Sequence, residues 1–311
     1  MPFAPKLAAH GAEIPAIGFG TSGMGDVRAE HIATALKAGY RHIDTARKYG
    51  TEPAVGDGMR ASGVPRRDIF LCTKVSHENL HAADFARSVD ESLNALRVDY
   101  VDLLLVHWPE KNTPLEETMG ALDAAVRSGR ALYAGISSYS AERTAEAAAI
   151  LRTMGTPLLI HQPSYSMLNR WIETGLLDVL GREGIGCIAF SPLAQGVLTG
   201  KYLGGVPAGS RATVTDGSLS SDQISEQNLT HVRALSETAG ARGQSLAQMA
   251  LSWVLRDQRV TSALIGASSV AQLEENLAAA GHSDFTDDEL AAIDRDAVDA
   301  GINIWAASSA H

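Results

Sequence analysis

Four side chains in the first 110 residues carry groups that can move a proton onto oxygen: Asp44 and Tyr49 in HIDTARKYG, Lys74 in FLCTK and His107 in LLVHWP. A tyrosine hydroxyl, with an ordinary pKa near ~10, protonates a developing alkoxide only if a neighbouring cation steadies the phenolate it becomes. Lys74 can be that cation. An acid beside the lysine, Asp44, keeps it charged and oriented, and the His107 imidazole can donate to a carbonyl oxygen. Each residue alone also has a structural reading. Asp44 with Thr45 can cap the next segment, Lys74 can snorkel, and His107 can be a satisfied core histidine. No GxSxG occurs, so an activated serine is not indicated.

Positioning such a set requires elements that end on one rim. Short apolar runs at 17–20, 41–44, 69–74, 101–108, 131–137, 157–162, 186–191 and 263–266 alternate with segments of helical period at 28–38, 53–62, 82–97, 114–128, 140–153, 175–182, 224–241 and 270–279. Eight βα units predict a parallel sheet closed into a (β/α)₈ TIM barrel, an α/β fold with its reactive face at the carboxyl ends of the strands. An open doubly wound sheet is the competitor, but the first strand lacks a GxGxxG that opens a helix. On the barrel reading Asp44, Lys74 and His107 end strands two, three and four. Ser137 and Ser138 end strand five, Gln162 strand six and Ser191 strand seven. A Gly/Ser/Thr-rich stretch at 194–222 and a polar tail after Asp296 are additions, and a loop that long is usually functional.

Bulk properties bound the rest. The 311 residues fit one barrel domain over 1–311, and 45% apolar with 20% charged residues is an ordinary globular composition. A formal charge of −10 argues against nucleic-acid and membrane partners, since no basic patch offsets it. The N-terminus has no signal-like pattern, which predicts a cytoplasmic protein. Cys72 and Cys187 sit in apolar runs as buried, unpaired thiols, and no zinc-type spacing occurs, so no metal is expected.

Taken together, HIDTARKYG, FLCTK and LLVHWP resemble the aldo-keto reductases, barrel enzymes that use NAD(P)H, and the resemblance extends over essentially the whole chain. It implies that Tyr49 is the general acid, tuned by Lys74 and Asp44, with His107 polarising a small carbonyl substrate. It also implies a nicotinamide site of Thr21, Asp44, Ser137, Ser138 and Gln162, with Phe190 stacking on the ring. Family members often carry Asn where Ser138 stands. SPLAQGVLTGKY resembles the pyrophosphate loop, implicating Ser191, Pro192, Leu193, Gln195 and Lys201, with Arg211 beyond it, and makes 194–222 a cofactor cover. GASSVAQLEEN resembles the adenosine motif, implicating Gly266, Ser268, Gln272, Glu275 and Asn276; its structural alternative is a plain helix cap at Ser268. Several relatives carry Arg where Ser269 stands, and such an Arg favours a 2′-phosphate; NADPH is still expected first, with NADH, for want of that Arg, second.

The resemblance leaves the substrate open among small hydroxyaldehydes, sugar-derived aldehydes and aromatic aldehydes, with Trp108, Met24 and the tail's Trp305 as expected pocket walls. Two other classes compete. Lys74 could form a Schiff base as in barrel aldolases, and the second half resembles potassium-channel β subunits, which implies a cofactor-sensing partner. The resemblance also changes character along the chain. Residues 1 to about 110 look like the 2,5-diketo-D-gluconic acid reductase branch, and those from about 113 look like bacterial L-glyceraldehyde 3-phosphate reductases. That predicts a join of two half-barrels near 109–113, with misfit at the seams. Oligomeric state is not legible.

Overall fold

The computed structural model describes residues 5–7, 11–23, 27–207, 210–213, 219, 221–267, 269–279 and 284–306. A short antiparallel hairpin, β1 (Pro5–Leu7) and β2 (Glu13–Pro15), comes first. Eight parallel strands then close a barrel in chain order: β3 (Ile17–Gly20), β4 (His42–Asp44), β5 (Phe70–Val75), β6 (Val101–Val106), β7 (Ala131–Ser137), β8 (Leu158–Gln162), β9 (Gly186–Ala189) and β10 (Val260–Ile265). β10 returns to β3 through the pairs Ala263 with Ile17 and Ile265 with Phe19. The expected (β/α)₈ barrel is what the chain forms.

Helices α1 (Ala29–Lys37), α2 (Glu52–Ser62), α3 (Ala82–Leu96), α4 (Leu115–Arg127), α5 (Ala141–Met154) and α6 (Leu176–Glu183) follow β3 to β8 in turn. Between β9 and β10 there are two helices, α7 (Glu226–Ala241) and α8 (Leu246–Leu255), where one was expected. The reason is burial. All of LAQMALSWVL except Gln248 is buried, so α8 has almost no polar face and shows little helical alternation. α9 (Val270–Ala278) follows β10, and α10 (Asp287–Asp296) starts at a capping box between Thr286 and Glu289. The last strand also begins earlier than expected, at Val260 rather than 263.

The core has two parts. The larger one fills the space between strands and helices, and the smaller one lies inside the barrel around Phe70, Cys72, Leu103, Leu105, Leu159, Ile160, Ile188 and Leu264. Ala12 and Ile14 belong to the inner cluster, so the hairpin plugs the end of the barrel remote from the strand C-termini. Each large aliphatic side chain buried here contributes about 1.5–3 kcal/mol. Space inside is tight. A Cβ on Gly18 would lie 2.5 Å from His42 Nδ1 and 2.6 Å from Leu264 Cδ2. Gly18, Gly20 and Gly23 do have the letters of a dinucleotide fingerprint, but Gly18 and Gly20 are in β3 and the next helix begins at Ala29. Packing, not phosphate, requires Gly18. Cys72 and Cys187 are both buried, and among the described residues no helix is long and apolar enough to cross a membrane.

Candidate active site

Strand parity builds the site. Asp44 pairs with Cys72, Cys72 with Leu103, Leu105 with Gly135 and Ser137 with Gln162. Side chains alternate across a strand, so Asp44, Lys74, His107, Ser137 and Gln162 all take the inward direction of the buried Cys72, Leu103 and Leu105, one layer nearer the carboxyl ends. His107 lies one residue past β6 and stays in the ladder through its N–H, which donates to Val75 O at 3.0 Å. Tyr49 arrives differently. After β4 the chain makes a 3₁₀ turn over Arg47–Tyr49, and Gly50 ends it at φ 68°, a left-handed conformation that glycine adopts without strain.

Lys74 Nζ donates to Asp44 Oδ1 at 2.5 Å and to Thr45 O at 2.9 Å, and both side chains are buried. Burial works against its charge, yet Asp44, Tyr49 and Cys72 outweigh burial and raise the Lys74 pKa. It is held as an ammonium, 5.2 Å from the centre of the Tyr49 ring. Tyr49 Oη and His107 Nε2 stand 3.2 Å apart. Burial raises the Tyr49 pKa; Lys74 opposes that and Asp44 adds to it. His107 is pushed down to about 2, first by burial and then by Lys74, Lys48 and His77, so its imidazole is neutral. The expected tetrad is thus one contiguous cluster.

Two further groups hold it. Thr21 Oγ1 reaches Asp44 O at 3.3 Å, Thr45 Oγ1 at 3.1 Å and Thr51 Oγ1 at 2.9 Å, bracing the turn that carries Tyr49. Glu52, which the sequence did not single out, is buried against β5 at Thr73. It accepts from Thr73 Oγ1 at 2.7 Å and lies 3.6 Å from Arg47 Nη1. An acid in the first turn of a helix reads as a surface cap, so only its position behind β5 reveals this use.

The opposite wall collects the residues expected to hold a cofactor. Gln162 Nε2 donates to Asp44 Oδ2 at 2.9 Å, and its carbonyl accepts from Ser137 Oγ at 2.8 Å and Ser138 N at 3.2 Å. Phe190 follows β9 and meets Trp305 edge to face at 4.8 Å, so the tail does cover this rim. Trp108 stacks on His107, with ring centres 3.7 Å apart. Ser138, Ser191, Ala194 and Gln195 all have positive φ, between 47° and 62°. For residues other than glycine that conformation costs on the order of 1–3 kcal/mol each and clusters at ligand sites. Gln195 is buried, and among the described residues neither its Nε2 nor its Oε1 has a hydrogen-bond partner. Buried amides are nearly always satisfied, so this one awaits a polar ligand. Pro192 is buried, Leu193 half-buried and Lys201 exposed. Lys201 Nζ would lie 2.9 Å from a Cβ on Gly196, which places it on the same loop. These residues fit a polar, extended cofactor such as a nicotinamide dinucleotide.

The remaining expected residues are less gathered. Gly266, Gln272 and Glu275 are exposed, Asn276 is buried, and α9 is tied to α1's end by Tyr40 Oη donating to Leu273 O at 3.1 Å. The cap of α9 is Ser269, whose Oγ accepts from Gln272 N, and not Ser268. Ser268 and Met24 lie outside the described residues, and of Arg211 only the backbone is described, in a short turn over Arg211–Thr213.

With this geometry in view, residues 16–298 match the model of the Aldo/keto reductase family. The chain is 44% identical to the L-glyceraldehyde 3-phosphate reductase of Escherichia coli (strain K12), over 96% of this chain and 93% of that protein. It is 34% identical to a probable voltage-gated potassium channel subunit beta of Arabidopsis thaliana, over 78% of each. Among solved structures, a putative 2,5-diketo-D-gluconic acid reductase B superposes with TM-score 0.77 at 32% identity, covering 96% of this chain and 92% of the other. Both reductase matches therefore run through residues 109–113 rather than stopping there.

Proposed function

The chain belongs to the aldo/keto reductase family, and on that premise we propose that it reduces short hydroxyaldehydes to alcohols with NADPH, Tyr49 being the proton donor. The 3.2 Å approach of Tyr49 Oη to His107 Nε2, with the Lys74 ammonium beside the Tyr49 ring, carries this reading. A carbonyl oxygen bridging those two atoms accepts a hydrogen bond from neutral His107, which needs its proton on Nε2, and takes the hydroxyl proton of Tyr49 as negative charge develops on it. Lys74 stabilises the phenolate left behind, and Asp44 keeps Lys74 charged. The bound nicotinamide supplies the hydride. Ser137, Ser138, Gln162 and Phe190 would hold its ring, and Ser191, Leu193 and Gln195 its pyrophosphate. NADPH ranks first on the family resemblance, and NADH is kept as the second donor because Ser269 offers no cation to a 2′-phosphate.

The Lys74–Asp44 pairing counts against the Schiff-base reading, because a nucleophilic amine must be neutral. The likeness to a channel β subunit supports a second reading, a weakly catalytic cofactor-sensing partner. A join near residues 109–113 within the single domain would set β6 against β7 as a new seam, yet that seam pairs from Val101 with Ala131 to Val106 with Ile136 without a register shift. Leu105 packs there so closely that a Cβ on Gly135 would lie 2.7 Å from it. A join is thus supported only by the segment-wise resemblance, and the β6–β7 seam keeps one register throughout.

The test is loss of nicotinamide absorbance when the purified protein meets NADPH with glyceraldehyde, methylglyoxal or an aromatic aldehyde. Turnover of an aldehyde is expected. Cofactor binding without turnover would favour the sensing partner, and reduction of keto acids alone would overturn the aldehyde assignment.

A further inference from the structure

One cation at the mouth of the site has no part in proton transfer. Lys48 precedes Tyr49 in the 3₁₀ turn, and its Nζ lies 5.7 Å from the centre of the Trp108 ring, the ring that stacks on His107. His77 meets another edge of Trp108 at 5.6 Å, and among the described residues its Nδ1 is buried without a hydrogen-bond partner. Both groups act on His107, after burial and Lys74, to keep it neutral. In a protein of formal charge −10, this places a lysine side chain beside the Trp108 ring, just past the tetrad.

Neighbouring Arg47 is committed to Glu91 at 2.8 Å and to buried Glu52. Lys48 is not. Its ion-pair partner is Glu78 at 3.4 Å, with side chains 44% and 64% exposed. Water and salt screen an exposed pair of that kind, so an arriving anion can exchange for Glu78 at small cost. An anion reaching Lys48 would lie over Trp108, two ring contacts from the atoms that meet the carbonyl.

We propose that Lys48, with His77 and the Trp108 edge, forms a subsite for an anionic group, phosphate or carboxylate, at the far end of a short aldehyde. Glu78 is the resting counter-ion of that subsite. The inference rests on the reductase reading above and deepens it: the preferred substrate is a two- or three-carbon hydroxyaldehyde with a terminal anion.

The test compares kcat/KM for glyceraldehyde 3-phosphate, succinic semialdehyde and uncharged glyceraldehyde in the wild type and in Lys48→Met, Lys48→Arg and Glu78→Gln. Charge-assisted contacts of this class set an expected fall of roughly 10–100-fold in the anionic-to-neutral ratio for Lys48→Met, mainly through KM, with the ratio largely kept by Lys48→Arg and raised by Glu78→Gln. Loss of preference for the phosphate alone would assign the subsite to phosphate, and equal loss for both anions to negative charge in general. A thermal shift supplies a readout without turnover: with NADP+ present, glycerol 3-phosphate should raise the melting temperature of the wild type and not of Lys48→Met. An unaltered ratio in Lys48→Met together with an unaltered shift would overturn the subsite. A wild type that reduces no aldehyde but still shows the Lys48-dependent shift would overturn the reductase reading and leave an anion site standing.

Discussion

The two sides of the barrel mouth are built to different rules. On the side of β4 to β6, Lys74 has Asp44 and the Thr45 carbonyl, Asp44 has Lys74 and Gln162, and Glu52 has Thr73 and Arg47. Charge there is buried and paired within the chain. On the side of β9, Gln195 is buried with both polar atoms unpartnered among the described residues, and Ser191, Ala194 and Gln195 hold left-handed backbone. On one side the buried charges find their partners within the chain; on the other a buried amide has both polar atoms open to a ligand. Pre-organised electrostatics suit a step that must not wait for side chains to rearrange, whereas groups left unsatisfied make cofactor binding favourable by giving it hydrogen bonds to form.

Tyr49→Phe gives the sharpest test of that division. It removes the proton donor and leaves both walls in place, so turnover should fall by roughly 10²–10⁴ while the cofactor dissociation constant changes little. Unaltered turnover would remove Tyr49 from the chemistry. Asp44→Ala attacks the paired side directly. It strands the buried Lys74 ammonium, and the loss of unfolding free energy measured by urea titration should be about 3–5 kcal/mol. A loss near zero would mean that water screens the pair and that this side of the mouth is not dry.

Acid should weaken both sides through buried histidines. Burial, slightly countered by Asp44, pushes His42 down to about 4, His161 is lowered to about 3 and His107 to about 2. Each is neutral when folded and takes up a proton more readily when unfolded. Their stability contribution is therefore fully present above the ordinary histidine pKa of 6.5 and is lost as pH falls toward those lowered values. The slope is about 1.4 kcal/mol per pH unit for each histidine fully in its window. Melts between pH 7 and pH 5 check it, and His42→Asn should flatten the curve. Activity should show no histidine limb in that range, since neutral His107 is the working form, and should decline only as alkali removes the Tyr49 proton.

The same contrast explains what the sequence could convey. Asp44, Lys74, His107, Ser137 and Gln162 were legible because each ends an apolar run, and strand parity then leaves them one place to go. Tyr49 was legible because Gly50 marks a turn. By contrast, α8 was hidden by being apolar nearly all round, and the hairpin by having strands of only three residues. Glu52 looked like a surface acid. The state of Gln195 depends on its φ of 58° and on what surrounds it, neither of which a residue type encodes.

Gln195→Ala tests the unfinished side. Removing an orphaned amide should weaken dinucleotide binding about tenfold, the effect of one hydrogen bond to a charged group, while the cofactor-free melting temperature stays level or rises. A fall in that temperature together with unchanged binding would reverse the assignment of the two sides.

The smallest effect is expected at α9, where the cofactor wall meets ordinary helix chemistry. Ser269 is exposed and caps the helix by accepting from Gln272 N at 3.3 Å. Ser269→Arg would exchange that cap for a cation at the proposed adenosine end. Loss of the cap should cost about 1 kcal/mol of stability. A solvent-exposed Arg–phosphate contact should strengthen NADPH binding several-fold and leave NADH binding nearly level, since only NADPH carries the 2′-phosphate. Calorimetric titration of both cofactors, beside a melt of the free protein, separates the two terms. Should NADH and NADPH shift together, the adenosine end would not lie at Ser269, and α9 would be a packing helix whose N-terminus merely resembles a binding motif.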